Sequence, residues 1–362
     1  MTDTKHYRLF SDLIKISVGN IEAFSEVPTI AEWDKLYNEA NRQAVSGVLL
    51  EGVKRLPENQ RPPRQMLMNW FSTVQQIMSV NRQVDKDTLK ITQKWSKVGY
   101  RNIILKGQAN AQLYPIPLTR VSGDIDVWVD APRGEVINYI RKMFPKEEVT
   151  WIEMNFPVLK STLVEVHFEP TYLYDPFTNR RLSKYLKSRI EFIGEMEIEG
   201  GKIPVLDKET NLVFQLTHIY RHLFFEGVGM RQIMDLYYLL QQDGITDTFP
   251  EVRKILKSIR LEHFTAGLMW IMRETFGMEE AKMILAPNEA EGRFLLSEIM
   301  MSGNFGHDDD RVGNRAEMNR WQRLTWGTKW ALRLIGHYPR EVMWHPIYRI
   351  SQYLWRVKNG YL

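Results

Sequence analysis

With 362 residues, 44% hydrophobic and 25% charged, the chain is a folded protein long enough for about two or three packed units. It has no cysteine, which rules out disulfides and zinc–thiolate sites and suits a reducing compartment. A net charge of +4 permits an anionic ligand without requiring nucleic acid. The opening MTDTKHYRLF has no apolar signal core, and the longest apolar runs, such as Phe264–Met272, are too short to span a bilayer. A cytoplasmic protein with no transmembrane segment is therefore expected.

Apolar residues recurring every three or four positions predict helices over Arg8–Ser17, Ile30–Val53 and Arg64–Val98. Gly19 and the Pro57–Pro63 segment punctuate them. At Tyr100 the pattern changes. Asn102–Leu105 is a short apolar run ending at Gly107, and Gln108–Tyr114 reads as a short helix stopped by Pro115 and Pro117. Gly123–Val129 alternates as a strand, and Pro132 marks a helix start that continues over Gly134–Met143. Strands follow at about Val149–Met154 and Val158–Phe168. Glu191–Glu199 and Lys202–Leu206 flank Gly200-Gly201 as a hairpin. After Asp207, a plausible N-cap, helices return at Lys208–His222, Met230–Gln242, Pro250–Ser258 and Glu262–Phe276. Ser302–Asn314, with Asp308-Asp309-Asp310, reads as a loop. The expected fold class is α+β. A small mixed sheet over residues 99–206 lies between helical regions at 1–98 and 207–362 that frame a cleft.

Alternation along Gly123–Val129 sends Asp124 and Asp126 to one side and Ile125, Val127 and Val129 to the other. Two carboxylates so close repel unless a cation stands between them. In Leu163-Val164-Glu165-Val166-His167, Glu165 sits between valines, where an acid is costly to bury without a partner; His167 and Glu169 share its face. Three carboxylates around two Mg²⁺ ions suit phosphoryl-type chemistry on a nucleoside triphosphate. The Leu105-Lys106-Gly107 turn before a helix start is a natural phosphate site, with Lys106 adding charge. Arg120 has the fork to grip a triphosphate, and Ser122 stands beside it.

In their order, Gly107, Asp124-Ile125-Asp126-Val127 and Val164-Glu165-Val166 resemble the signature of the DNA polymerase β-like nucleotidyltransferase superfamily. Leu105-Lys106-Gly107, Tyr114-Pro115, Arg120 and Gly123-Asp124-Ile125-Asp126 are similar to an uncharacterised bacterial nucleotidyltransferase family. So are Glu165 with His167, and then His218, His222, Arg231 and Asp235. The likeness covers roughly residues 98–240. It implies transfer of a nucleoside monophosphate from an NTP such as ATP to an unknown acceptor, whether small molecule, protein or RNA, with two Mg²⁺ ions. Asp124 and Asp126 would bind both ions, and Glu165 would complete the metal site nearer the acceptor. Lys106, Gly107, Arg120 and Ser122 would hold phosphates. His167, His218, His222, Arg231 and Asp235 would belong to the acceptor cleft. Lys106-Gly107-Gln108 departs from the superfamily's Gly-Ser, so a serine contact to phosphate is missing.

Other readings stand beside these. The departure at Gly-Ser and the basic C-terminal tail motivate a competing class, a catalytically inactive binding module for a protein or nucleic acid. His218 and His222 have zinc-compatible i, i+4 spacing, but no Glu follows the first His and no third ligand is evident; a structural pair or cleft wall is the reading adopted. Arg231 and Asp235, also four apart, are positioned to pair. From Arg320 to Lys358, eight basic residues and five tryptophans accompany the single acid Glu341. That mixture serves nucleic acid or membrane surfaces, although a helical cap with core tryptophans and solvated arginines is the simpler reading. Finally, three crowded carboxylates repel, so Asp126→Asn is expected to leave the metal-free protein no less stable.

Overall fold

In the computed structural model, which describes residues 4–225, 227–304 and 329–361, the β-hairpin around Gly200 forms one edge of a six-stranded mixed sheet. The strands are β1 (Arg101–Ile104), β2 (Ile125–Asp130), β3 (Glu153–Asn155), β4 (Val164–His167), β5 (Ile193–Ile198) and β6 (Gly201–Leu206), in the order β3-β4-β2-β1-β6-β5. The pairs β2/β4 and β1/β6 are parallel; β1/β2, β3/β4 and β5/β6 are antiparallel. Gly200, at φ +98°, makes the tight β5–β6 turn that a side chain would resist. The architecture is α+β, a mixed sheet with helical flanks, as expected.

Helices α1 (Thr4–Val18), α2 (Ile30–Arg42), α3 (Ser46–Arg55) and α4 (Arg64–Val98) precede the sheet. Thr29 and Glu32 close a capping box at the start of α2. The single helix expected over Ile30–Val53 is broken, with Ala44 at φ 54° between α2 and α3. The cause is tertiary. Buried Gln43 reaches the Met230 amide through Oε1 and the Ile299 carbonyl through Nε2, and an uninterrupted helix would carry it away from both. Gly99, at φ 93°, caps α4 in the left-handed conformation.

Between and after the strands lie α5 (Gln108–Ala111), α6 (Arg133–Met143) and α7 (Pro176–Ser188). The chain then continues through α8 (Lys208–Phe225), α9 (Met230–Leu240), α10 (Phe249–Ser258), α11 (Glu262–Phe276), α12 (Glu289–Ser302) and a C-terminal helix, Pro339–Lys358. The loop expected over residues 302–314 falls, beyond its first residues, outside those described, as do Trp321 and Trp326. Of the remaining tail tryptophans, Trp330 is buried and donates to the Leu223 carbonyl, and Trp355 packs edge-on against Trp151. Arg340 and Arg356 are ion-paired with Asp175 and Glu148 rather than simply solvated. No described helix is long and apolar enough to cross a membrane.

Strand parity sorts the core. Ile104, Ile125, Val127, Val129, Val164, Val166, Ile203 and Val205 point to the back of the sheet. There they meet Val84, Ile91 and Trp95 of α4 and Val136, Ile137 and Ile140 of α6. Ile103, Leu105, Trp128 and Leu206 point to the front and meet Phe214 of α8. A second, larger core joins the N-terminal and C-terminal helices, with Leu13, Trp33 and Leu50 packed in one cluster with Leu216, Ile233 and Leu268.

Three predicted elements are shorter in the structure. β2 begins at Ile125, after Asp124. The strand expected from Val149 is reduced to Glu153–Asn155 plus a Val149–Met154 bridge. The strand expected from Val158 starts only at Val164, because Ser161 and Thr162 turn aside to donate their hydroxyls to Asp87 of α4.

Candidate functional site

The parallel β2/β4 register sets Asp126 directly beside Glu165 and Trp128 beside His167. All four therefore face the front of the sheet, opposite the valines that anchor both strands in the back core. His167 Nε2 lies 2.8 Å from Asp126 Oδ1 and 4.0 Å from Glu165 Oε2, and its Nδ1 is 3.6 Å from Glu153 Oε2. One ligand-capable atom from each of Asp126, Glu165 and His167 lies within 4.8 Å of the others. Asp124 precedes the strand, half-buried and outside that trio, and lines the adjoining cleft. Of the three expected carboxylates, two thus meet on the sheet and the third stands at its rim.

Lys106 closes the charge balance. Its Nζ is 3.2 Å from Asp126 Oδ2. Burial alone would push the ammonium down, but Asp126, Asp124 and Glu165 raise its pKa. Burial likewise pushes Asp126 up, yet Lys106 and the His167 hydrogen bond outweigh it and hold that carboxyl below its usual range. Glu165 goes the other way. Burial, with Asp126, Asp124 and Glu153 nearby, pushes it up to about 9, so the crowding falls on this one acid. The expectation that neutralising Asp126 would relieve the site meets a different charge arrangement: Asp126 faces the Lys106 ammonium and a His167 hydrogen bond, and the like-charge crowding falls on Glu165.

Gly107 turns the chain from β1 into α5 at φ 58°, ψ −114°, a region that side chains avoid. The helix that follows is a single turn rather than the longer one expected, so little dipole is available to a phosphate there. Lys106 and Gly107 share a cleft with Asp124, His218 of α8, and Arg231 and Asp235 of α9. Arg120 also lines this cleft, but its fork is engaged. Nε and Nη2 each donate to Asp235 at 2.7 Å, and Nη1 donates to the Val121 carbonyl. The expected Arg231–Asp235 pairing is replaced as the main contact. Asp235 receives its hydrogen bonds from Arg120, Tyr114 and Asn110, while Arg231 donates to the Val121 carbonyl at 3.0 Å. Burial and Arg120 lower the Arg231 pKa to about 10. Ser122 is half-buried on the same loop and does not line the cleft.

His218 and His222 meet Nε2 to Nε2 at 2.9 Å, with His218 stacked on Phe214. Burial, then Lys106 and His222, push His218 well below its ordinary value, leaving it neutral. His222 stands behind His218, outside the cleft lining. Sequence reasoning missed Gln215 and Gln232, which also line the cleft. Gln215 lies one turn before His218, and that helical spacing was the available signal. It also missed α4 as the brace: Asn81 Nδ2 donates to the carbonyls of Leu118 and Arg120, both at 2.7 Å, and so fixes the loop that carries Arg120.

The sheet order and the acids paired across its parallel strands define a mixed α/β protein of nucleotidyltransferase-like fold. The family described as uncharacterised nucleotidyltransferase matches residues 29–277, and the chain belongs to that family. Among solved structures, an antigenic nucleotidyltransferase-like protein from Paracoccidioides brasiliensis is similar at 15% identity, with a TM-score of 0.30, over 49% of this chain and 92% of that one. No curated protein matches.

Proposed function

We propose that the chain transfers a nucleoside monophosphate from an NTP to an acceptor hydroxyl or similar group with release of pyrophosphate, as a member of the DNA polymerase β-like superfamily. The observation that carries this reading is the in-register pairing of Asp126 with Glu165 beside Lys106. The donor set suits a hard divalent cation. Asp126 Oδ2 is buried and faces the Lys106 ammonium at 3.2 Å, and Glu165 is crowded by like charges. Asp124, Asp126 and Glu165 would hold Mg²⁺, which when bound offsets charge on the phosphates and on the attacking and leaving oxygens. Lys106 faces the phosphates as a point charge, and Gly107 lets the backbone approach them. Arg120, in the cleft lining with its fork engaged by Asp235, adds to the positive side of the cleft. His218, neutral and able to donate or accept, faces the acceptor side with Arg231.

A second reading rests on the Lys106–Asp126 ion pair. A lysine that already satisfies the central carboxylate, where the superfamily places Gly-Ser, suits a non-catalytic binding module. One experiment separates the two. The chain is incubated with each radiolabelled NTP, Mg²⁺ and cell lysate, and labelled acceptors and pyrophosphate are measured. Label that appears with wild type and is absent with Asp126→Asn supports transfer. Binding of an NTP without consumption supports the module.

A further inference from the structure

Far along the chain from the sheet, His263 of α11, Glu291 of α12 and His337, just ahead of the C-terminal helix, converge. His263 Nε2 is 2.8 Å and His337 Nδ1 2.6 Å from the same oxygen, Glu291 Oε2, and the three ligand-capable atoms lie within 4.8 Å of one another. The Glu291 side chain is 1% exposed, and among the described residues its ion-pair partners are these two histidines. A buried carboxylate needs hydrogen-bond donors, a counter-charge or a metal. Here both imidazoles converge on one of its oxygens, an arrangement of donor atoms that can also hold an ion.

We propose that His263, Glu291 and His337 form a zinc site, separate from the proposed nucleotidyl site and independent of it. Two imidazole nitrogens and one carboxylate oxygen suit zinc rather than Mg²⁺, and three protein ligands leave a fourth position open. That position faces solvent, since the His263 side chain is 52% exposed. The surrounding groups orient the ligands. Tyr338 hydrogen-bonds the other Glu291 oxygen, and Phe294 stacks on the His337 ring with 3.6 Å between centroids. An ion at roughly 2.0–2.2 Å from each ligand would set the ligand atoms about 3.4 Å apart, so the imidazole–carboxylate contacts would widen by about 0.6–0.8 Å on binding. The ion would fasten α11 and α12 to the start of the C-terminal helix, whose Glu341 accepts from the Tyr174 and Asp175 amides.

The test uses the full metal-free chain, titrated with Co²⁺ for its visible absorption and with Zn²⁺ by calorimetry and thermal unfolding. Wild type is expected to take up one equivalent, show the intense tetrahedral Co²⁺ bands and gain in melting temperature. His263→Gln, a substitution at a half-exposed position that leaves packing intact, is expected to lose both responses and to weaken Zn²⁺ by on the order of 100-fold. His167→Gln, at the sheet site, should retain them. The proposal falls if wild type shows neither response or if His263→Gln keeps both. It also falls if His167→Gln removes them while His263→Gln does not, which would place the ion on the sheet.

Discussion

Arg120 and Asp235, 115 residues apart, are joined by two parallel hydrogen bonds of 2.7 Å, with both side chains almost wholly buried. This pair clips the loop leading to Asp124 onto α9. Removing one partner leaves the other charge buried alone. Asp235→Asn is therefore expected to destabilise by about 3–5 kcal/mol, and Arg120→Lys, which cannot reproduce the fork, to weaken the same clip. Denaturant unfolding of the variants checks this; a cost below about 1 kcal/mol for Asp235→Asn would show that the pair is not the anchor.

Asp126→Asn removes the counter-charge of buried Lys106 and an acceptor for His167. The metal-free variant should melt below wild type, by about the loss expected when a buried pair is broken, on the order of 3 kcal/mol. Lys106→Met in the same background should recover part of that loss, since both charges are then gone. A double-mutant cycle measured by thermal unfolding reads the coupling directly.

Glu165 makes the pH dependence predictable. Its folded pKa, about 9, lies above its ordinary value of 4.5. Its favourable contribution is thus fully present below about pH 4.5 and is lost as the pH climbs through about 9. Glu165→Gln should flatten the fall in melting temperature across that window and be more stable than wild type at its upper end. Mg²⁺ competes with the same proton, so binding should strengthen as the pH rises. Identical pH profiles for wild type and Glu165→Gln would remove the strain assigned to this residue.

Gly107→Ala places a side chain at φ 58°, ψ −114°. The space is adequate, since the added carbon would lie 3.5 Å from the Asp124 carbonyl oxygen, so the cost is conformational and about 1–3 kcal/mol. Under the proposed function the variant should also lose more of the NTP-dependent rise in melting temperature than its stability loss explains. An unchanged response would separate the turn from the phosphates.

Much of the sheet was legible in the sequence. Period-two alternation in Ile125–Val129 and Val164–His167 assigned the valines to a core and the acids to the other face, because each strand residue has only two directions to point. Gly200-Gly201 announced its hairpin for a similarly local reason. Local pattern carries no information about which strands become neighbours or which long-range partners meet. The Asp126–Glu165 pairing depended on β2 and β4 aligning in parallel register. The engagement of Arg120 by Asp235 depended on α9 packing against the loop that α4 holds. The break at Ala44 and the meeting of His263, Glu291 and His337 likewise arose from contacts between helices distant in sequence. Residue types and their alternation thus determined the fold class and the acids on offer, while only tertiary packing decided which charges are paired, and hence that Glu165 rather than Asp126 bears the electrostatic strain.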